Sequence, residues 1–175
     1  MTRSKITIVC LSVLLVATAC SKPEENAATT PAASPTTQRI TSESVVKVTV
    51  QPVELSADES SEAVVRLTIQ NGYHVNANPP TFPYLKATTL EIPAAEGLTA
   101  ATVTYPKAIE KQFAFADKPL AVYEGEVDLK ATLSADKAAK SDRRSLPAHL
   151  RIQACDDQVC YPPGTVELTI PVNIK

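Results

Sequence analysis

Leu150-Arg151-Ile152-Gln153-Ala154-Cys155-Asp156-Asp157-Gln158-Val159-Cys160-Tyr161-Pro162-Pro163-Gly164-Thr165-Val166-Glu167-Leu168-Thr169-Ile170 holds two alternating apolar and polar runs, joined by a short polar segment with a cysteine at each end. Side chains of a strand point to opposite faces in turn, so Leu150, Ile152 and Ala154 share one face, and Val166, Leu168 and Ile170 do the same in the second run. One apolar face and one wet face is the pattern of an antiparallel sheet whose apolar side must be covered by a second layer. The cysteines then fall at a hairpin-like corner, with Cys155 ending one strand and Cys160 preceding the next.

The same period of two recurs through the rest of the domain. Val46, Val48 and Val50 alternate with Lys47 and Thr49; Val65, Leu67 and Ile69 alternate with Arg66 and Thr68; Val127, Leu129, Ala131 and Leu133 alternate with Asp128, Lys130 and Thr132. Shorter candidate strands lie at 73–77, 88–92, 98–105 and 121–123, for a total of about seven to nine. Turn signals separate them at Asn71-Gly72, Asn78-Pro79-Pro80, Glu96-Gly97, Tyr105-Pro106 and Pro162-Pro163-Gly164. The expected fold is all-β, an immunoglobulin-like antiparallel β-sandwich. The one helical alternative, 134–144, has helix-forming residues but no apolar face and is read as a polar loop or a single turn.

The N-terminus fixes the compartment. Arg3 and Lys5 precede an apolar run, Ile6 to Val16, that is too short to span a bilayer, and Ala17-Thr18-Ala19 leads into Cys20. Residues 1–19 are therefore read as a lipoprotein signal peptide and Cys20 as the lipidated first residue of the mature chain. Residues 20–40 form a linker of Ala, Thr, Pro, Ser, Glu and Asn with too little apolar surface to fold, and residues 41–175 form the globular domain. Of four cysteines, Cys10 is removed and Cys20 carries lipid, which leaves Cys155 and Cys160 in an oxidising compartment. Ser21 rather than Asp after the lipidated cysteine favours, by analogy with bacterial lipoprotein sorting, the outer membrane facing the periplasm.

A lone cysteine pair in such a place is either a staple or a redox centre. A disulfide closing about six residues restricts the unfolded chain by only roughly 2 kcal/mol, so it is a weak place for a purely structural bond. Exported β-domains do carry local hairpin disulfides, however, and a binding or assembly module with a structural disulfide stays open as the alternative.

Gln153-Ala154-Cys155-Asp156-Asp157 with Cys160-Tyr161-Pro162-Pro163, Gly72-Tyr73-His74-Val75-Asn76-Ala77-Asn78, the Tyr105-Pro106 corner and Val122-Tyr123-Glu124-Gly125 together resemble the N-terminal periplasmic domain of the thiol:disulfide interchange protein DsbD. The resemblance runs from about Val45 to Lys175. It implies a sandwich with a small inserted active-site and cap region, and electron transfer by dithiol–disulfide exchange. Partners would be thioredoxin-like proteins on one side and a membrane electron donor on the other. By the same resemblance Cys160 is the cysteine that meets the partner, Cys155 resolves the mixed disulfide, and Phe113 or Phe115 shields the pair. Tyr73, His74, Asp117, Asp156, Asp157 and Tyr161 fall near the site. His74 and Asn76 stand where the family can have tyrosines. Full-length members continue into membrane and thioredoxin-like domains, whereas this sequence stops at Lys175, so another polypeptide is expected to supply the electrons.

In sequence no Lys, Arg or helix N-terminus adjoins Cys155 or Cys160, and Asp156 and Asp157 disfavour a further negative charge beside them. The expected thiols are slow, and react when docked on a partner that brings its own low-pKa cysteine. The net charge of −2 without a basic cluster gives no footing for nucleic acid. No cofactor is called for. His74 and His149 with the two cysteines match no zinc-finger spacing, and His149 is read as a surface or strand-edge residue, His74 as a neighbour of the site rather than a catalyst. Cys20→Ser is expected to abolish lipidation and to stall processing or release the domain, as mass spectrometry of the membrane fraction would register; an unchanged mass and membrane location would refute the anchor.

Overall fold

The computed structural model describes residues 39–95 and 97–175; the expected signal segment, Cys20 and nearly all of the linker lie outside them. The folded chain is built from strands and one 3₁₀ turn, Glu43–Val45. No helix among the described residues is long and apolar enough to cross a membrane.

Two four-stranded sheets form the sandwich. In the first, β1 (Val46–Val50), β3 (Ser60–Ile69), β9 (Glu126–Ala135) and β6 (Leu98–Thr104) lie in that spatial order. In the second the order is β2 (Val53–Leu55), β12 (Gly164–Ile174), β10 (Asp142–Ile152) and β5 (Thr89–Glu91). Neighbours run antiparallel, except that β2 lies parallel to β12 at the sheet edge. The alternating residues meet between the sheets: Val65, Leu67, Leu129, Leu133, Leu146, Leu150, Ile152 and Ile170 are all buried in one cluster. Their partners in the alternation, such as Arg66, Lys130 and Arg151, point to water. Period two therefore fixed which face of each strand is covered.

A third, smaller sheet positions the cysteines. Its order is β11 (Ala154–Cys155), β4 (His74–Asn76), β8 (Leu120–Tyr123) and β7 (Ile109–Lys111). Each strand comes from a connection between sandwich strands: β4 between β3 and β5, β7 and β8 between β6 and β9, β11 between β10 and β12. The inserted region is thus three excursions that pair with one another. Gly72, with φ of +84°, makes the first excursion possible, since the turn after β3 needs a left-handed residue and a side chain there would be strained.

The structure corrects the strand reading in three places. Leu150 to Ala154 is not one strand: β10 stops at Ile152 and the chain changes sheet across Gln153. Strands β2 and β7 have three residues each, too few for alternation to register, and the described residues hold twelve strands. The segment 134–144 holds a single turn, with Ala139 N–H donating to Asp136 O at 2.9 Å, but β9 and β10 extend into it from both sides.

Candidate functional site

The cysteines sit at the tip of the long β10–β12 hairpin, whose register runs out at Ile152 opposite Gly164. Beyond that point Asp156 N–H donates to Val159 O at 2.9 Å and Tyr161 N–H donates to Ala154 O at 2.8 Å. Cys155 and Cys160 are therefore an antiparallel pair with no backbone hydrogen bond between them, the arrangement in which facing side chains come closest. Their Cα atoms are 3.9 Å apart and their sulfurs are joined. Burial separates the two: Cys155 has no exposed surface, whereas Cys160 is half-buried.

Local side-chain bonds hold this tip. The Asp156 carboxylate accepts from the Gln158 and Val159 N–H groups, both at 2.8 Å, and from the Tyr161 hydroxyl at 2.6 Å. An aspartate that closes its own turn in this way gives the six-residue loop one shape. The Tyr161 bond, with help from the two N–H groups, holds the Asp156 carboxyl below the usual carboxylate range. In return the Tyr161 hydroxyl is pushed up to about 12, chiefly because its proton is held by Asp156. Tyr73 stands 6.1 Å from the Tyr161 ring.

Gln153 and Ser42 set the tip against the rest of the domain. Gln153 Oε1 accepts from Asn76 Nδ2 at 3.0 Å and from Lys86 N–H at 2.8 Å, while its Nε2 donates to Tyr161 O at 3.2 Å. The buried Ser42 hydroxyl donates to Pro162 O at 2.7 Å and accepts from Ala154 N–H at 2.9 Å, so it touches both arms of the hairpin.

Across the small sheet Cys155 pairs with His74, and the β4–β8 register carried one residue further places Glu124 next to His74. Glu124, His74, Cys155 and Cys160 thus form one row with side chains on one face. His74 is 2 % exposed. Its Nε2 lies 3.1 Å from Glu124 Oε2 and 2.6 Å from Lys111 Nζ, and Lys111 Nζ lies 3.6 Å from Asp157 Oδ1. Lys111 was not among the residues singled out by sequence. It is distant in the chain from either cysteine, and only the pairing of β7 with β8 carries it there. Along the chain no cation adjoins either cysteine, but across the sheet Lys111 reaches His74, the residue opposite Cys155.

The connection from 112 to 119 lies over the same face. Phe113 is 2 % exposed, packs with Leu120 and Val122 in a small second core, and meets the His74 ring edge-on at 5.2 Å. Phe115 stacks on Phe113 at 5.2 Å and is 42 % exposed. It lines, with Tyr84, Leu85, Leu120, Gln153, Val159 and Cys160, a cleft of about 350 Å³. Tyr84 and Val159 are also exposed there. Asp117 and Asp157 are exposed, and Asp117 has no contact that draws it to the cysteines. His149 lies elsewhere, on β10 with its Nδ1 2.5 Å from Glu167, so the two histidines and two cysteines are not gathered in one place. No group of three or more metal-ligating side chains occurs among the described residues.

Fold and site together define the class as an immunoglobulin-like β-domain whose inserted sheet presents one half-buried and one fully buried cysteine at a hairpin tip. Residues 37–171 match the family described as thiol:disulfide interchange protein DsbD, N-terminal, and the chain belongs to that family. Among solved structures it is similar to the reduced DsbD N-terminal domain of Neisseria meningitidis, at 21 % identity and a TM-score of 0.50, over 77 % of this chain and 90 % of that one. It is also similar to the structure of the complex between the DsbD and PilB N-terminal domains of the same organism, at 20 % identity and a TM-score of 0.45, over 75 % and 87 %. The N-terminal periplasmic domain of ScsB from Proteus mirabilis matches at 14 % identity and a TM-score of 0.48, over 71 % and 44 %. No curated protein matches the chain.

The Asp156 turn generates a pH prediction. Because folding lowers the Asp156 pKa, its stabilising effect is complete above the ordinary Asp range and is lost as pH falls through the lower folded value. Urea unfolding of wild type and Asp156→Asn is expected to show the wild type more stable at pH 7, with the gap narrowing below about pH 4. A gap that widens in acid would overturn this account of the turn.

Proposed function

We propose that this protein passes electrons by thiol–disulfide exchange through Cys155 and Cys160, between a membrane electron donor and thioredoxin-like partners in the periplasm. The observation that carries the reading is the unequal burial of a directly facing pair. Cys160 opens on a cleft edged by exposed Tyr84, Phe115 and Val159, while Cys155 lies wholly beneath it. An incoming sulfur can reach only Cys160. After the mixed disulfide forms, Cys155 is the sulfur placed to displace the partner. A purely structural staple has no need of an apolar rim on one side of one sulfur, and exposed aromatic and aliphatic side chains around a reactive atom favour docking of another protein.

In this reading Phe115 is the shield over Cys160, Phe113 is the buried root that holds it, and the domain is tethered through Cys20 and the linker 20–40 to a membrane, with the outer membrane favoured. Family membership supports the exchange chemistry; the donor and the anchoring are the proposal's own.

The assignment is tested by trapping. Cys155→Ser, incubated with the disulfide form of a thioredoxin-like protein after reduction, is expected to accumulate a mixed disulfide through Cys160, because the resolving thiol is gone; Cys160→Ser is expected to give none. Non-reducing gels and mass spectrometry read both. Adducts through Cys155 would reverse the roles, and none from either variant would favour the structural disulfide.

The two phenylalanines separate in a second test. Phe115→Ala is expected to raise the reaction rate of reduced, native protein with a small thiol reagent several-fold while changing stability by under about 1 kcal/mol. Phe113→Ala is expected to cost about 3 kcal/mol or more, as for a buried ring. Unchanged thiol reactivity in folded Phe115→Ala would remove the shield.

A further inference from the structure

Two buried polar atoms on the cysteine-bearing face of the small sheet have no hydrogen-bond partner: His74 Nδ1 and Asn76 Oδ1. A buried polar atom without a partner costs free energy, and such atoms mark places where the structure shown is one state of two. For His74 the register names the missing group. It faces Cys155 across β4 and β11, at the separation of about 5 Å typical of directly opposed side chains. In the oxidised pair Cys155 Sγ is committed to Cys160 and carries no proton. In the reduced protein it is a thiol, shut away from water, that must lose its proton before it can act.

We infer that His74, through Nδ1, is the proton acceptor and donor for Cys155 in the exchange reaction, a role that rests on the thiol–disulfide reading above. The charged and titratable groups around the ring are Lys111 from β7, Glu124 beyond β8 and Cys155 opposite on β11, with Asp157 of the cysteine turn reaching Lys111. At Nε2 the nearer group is Lys111 Nζ, 2.6 Å away against 3.1 Å for Glu124 Oε2. In the acting tautomer Lys111 turns from Nε2 to the Glu124 and Asp157 carboxylates, 3.9 and 3.6 Å from Nζ, so that Nε2–H donates to Glu124 and the Nδ1 lone pair is free. With Nε2 held by Glu124, the unpartnered Nδ1 is the nitrogen left for Cys155, which the register sets opposite, as when an imidazole oriented by a carboxylate serves a nucleophile.

With the partner held on Cys160, the Cys155 thiol gives its proton to Nδ1 and the resulting thiolate attacks Cys160 Sγ. The Cys155–Cys160 bond forms, the bond from Cys160 to the partner's sulfur breaks, and its electron pair leaves with that sulfur as a thiolate. The partner's disulfide has been reduced to a dithiol by two electrons and this pair has been oxidised. The imidazolium, offset by Glu124, then releases the proton to the departing thiolate or to water. Reduction by a donor dithiol runs the same path in reverse, with His74 returning a proton to Cys155.

The test is stopped-flow resolution of the mixed disulfide formed with a thioredoxin-like protein, from pH 5 to 9, for wild type, His74→Gln and Glu124→Gln in the full folded domain. His74→Gln is expected to slow resolution about 10²-fold at pH 7, the lower end of what a positioned base contributes. The deficit should shrink toward the alkaline end of the range, as hydroxide takes over removal of the proton from the buried thiol. Glu124→Gln should give a smaller loss with the same pH trend. A loss of equal size at every pH, or none, overturns the inference while leaving exchange intact; failure of the wild type to form or resolve the adduct overturns both. Should His74→Gln not fold, the wild-type imidazole ¹⁵N shifts decide: Nδ1 is expected to change on reduction of the pair, and identical shifts in the two redox states refute the contact.

Discussion

The geometry of the site depends on the chain leaving one sheet for another across a single residue. Ile152 is the last residue of β10 in the sandwich, and Ala154 already pairs with β4 in the small sheet. Gln153, between them, meets its side-chain amide needs by bonding Asn76, Lys86 and Tyr161, which belong to three separate segments. A half-buried amide with so many partners is expensive to disconnect. It orients β4, the 78–88 connection and the cysteine turn together, and the row Glu124, His74, Cys155, Cys160 follows from that orientation.

Much of this was open to reading from the chain. Alternation in Val65–Ile69, Val127–Leu133 and Val166–Ile174 names the covered faces because each of these strands has one side against a core. The cysteine motif lies at the tip of the β10–β12 hairpin, where His74 pairs with Cys155 and Asp156 accepts from Tyr161. What was hidden depends on pairing between segments. Strands β7 and β11 have three and two residues and show no periodicity. Lys111 is brought to His74 only by the β7–β8 and β4–β8 registers. The unequal roles of Phe113 and Phe115 are likewise invisible in the sequence, since both are aromatic, two apart, among small residues; only the Leu120 and Val122 patch decides which ring goes under.

Electrostatically the two faces of the small sheet differ. On one, Asp156 and Tyr161 form a closed pair that settles the turn and leaves little unspent polarity. On the other, Lys111 stands within reach of two carboxylates and an imidazole, and that imidazole lies opposite Cys155, which would gain and lose a proton in the proposed exchange. The first arrangement favours a fixed shape and the second a change of charge. The exposed Asp157, which in sequence looked like a mere neighbour of the cysteines, takes part in the second through Lys111.

The flanking backbone bonds of the cysteine pair bear on what happens after reduction. Asp156 N–H to Val159 O and Tyr161 N–H to Ala154 O lie on either side of the sulfurs, and neither involves them. With the covalent link open, the strands are still clamped, and each thiol sees the other at an effective molarity far above any concentration a soluble competitor attains. In the proposed exchange, ring closure is then a unimolecular event that needs no search, so the lifetime of a bound partner would be governed by how soon Cys155 becomes a thiolate and not by how soon the loop brings it back.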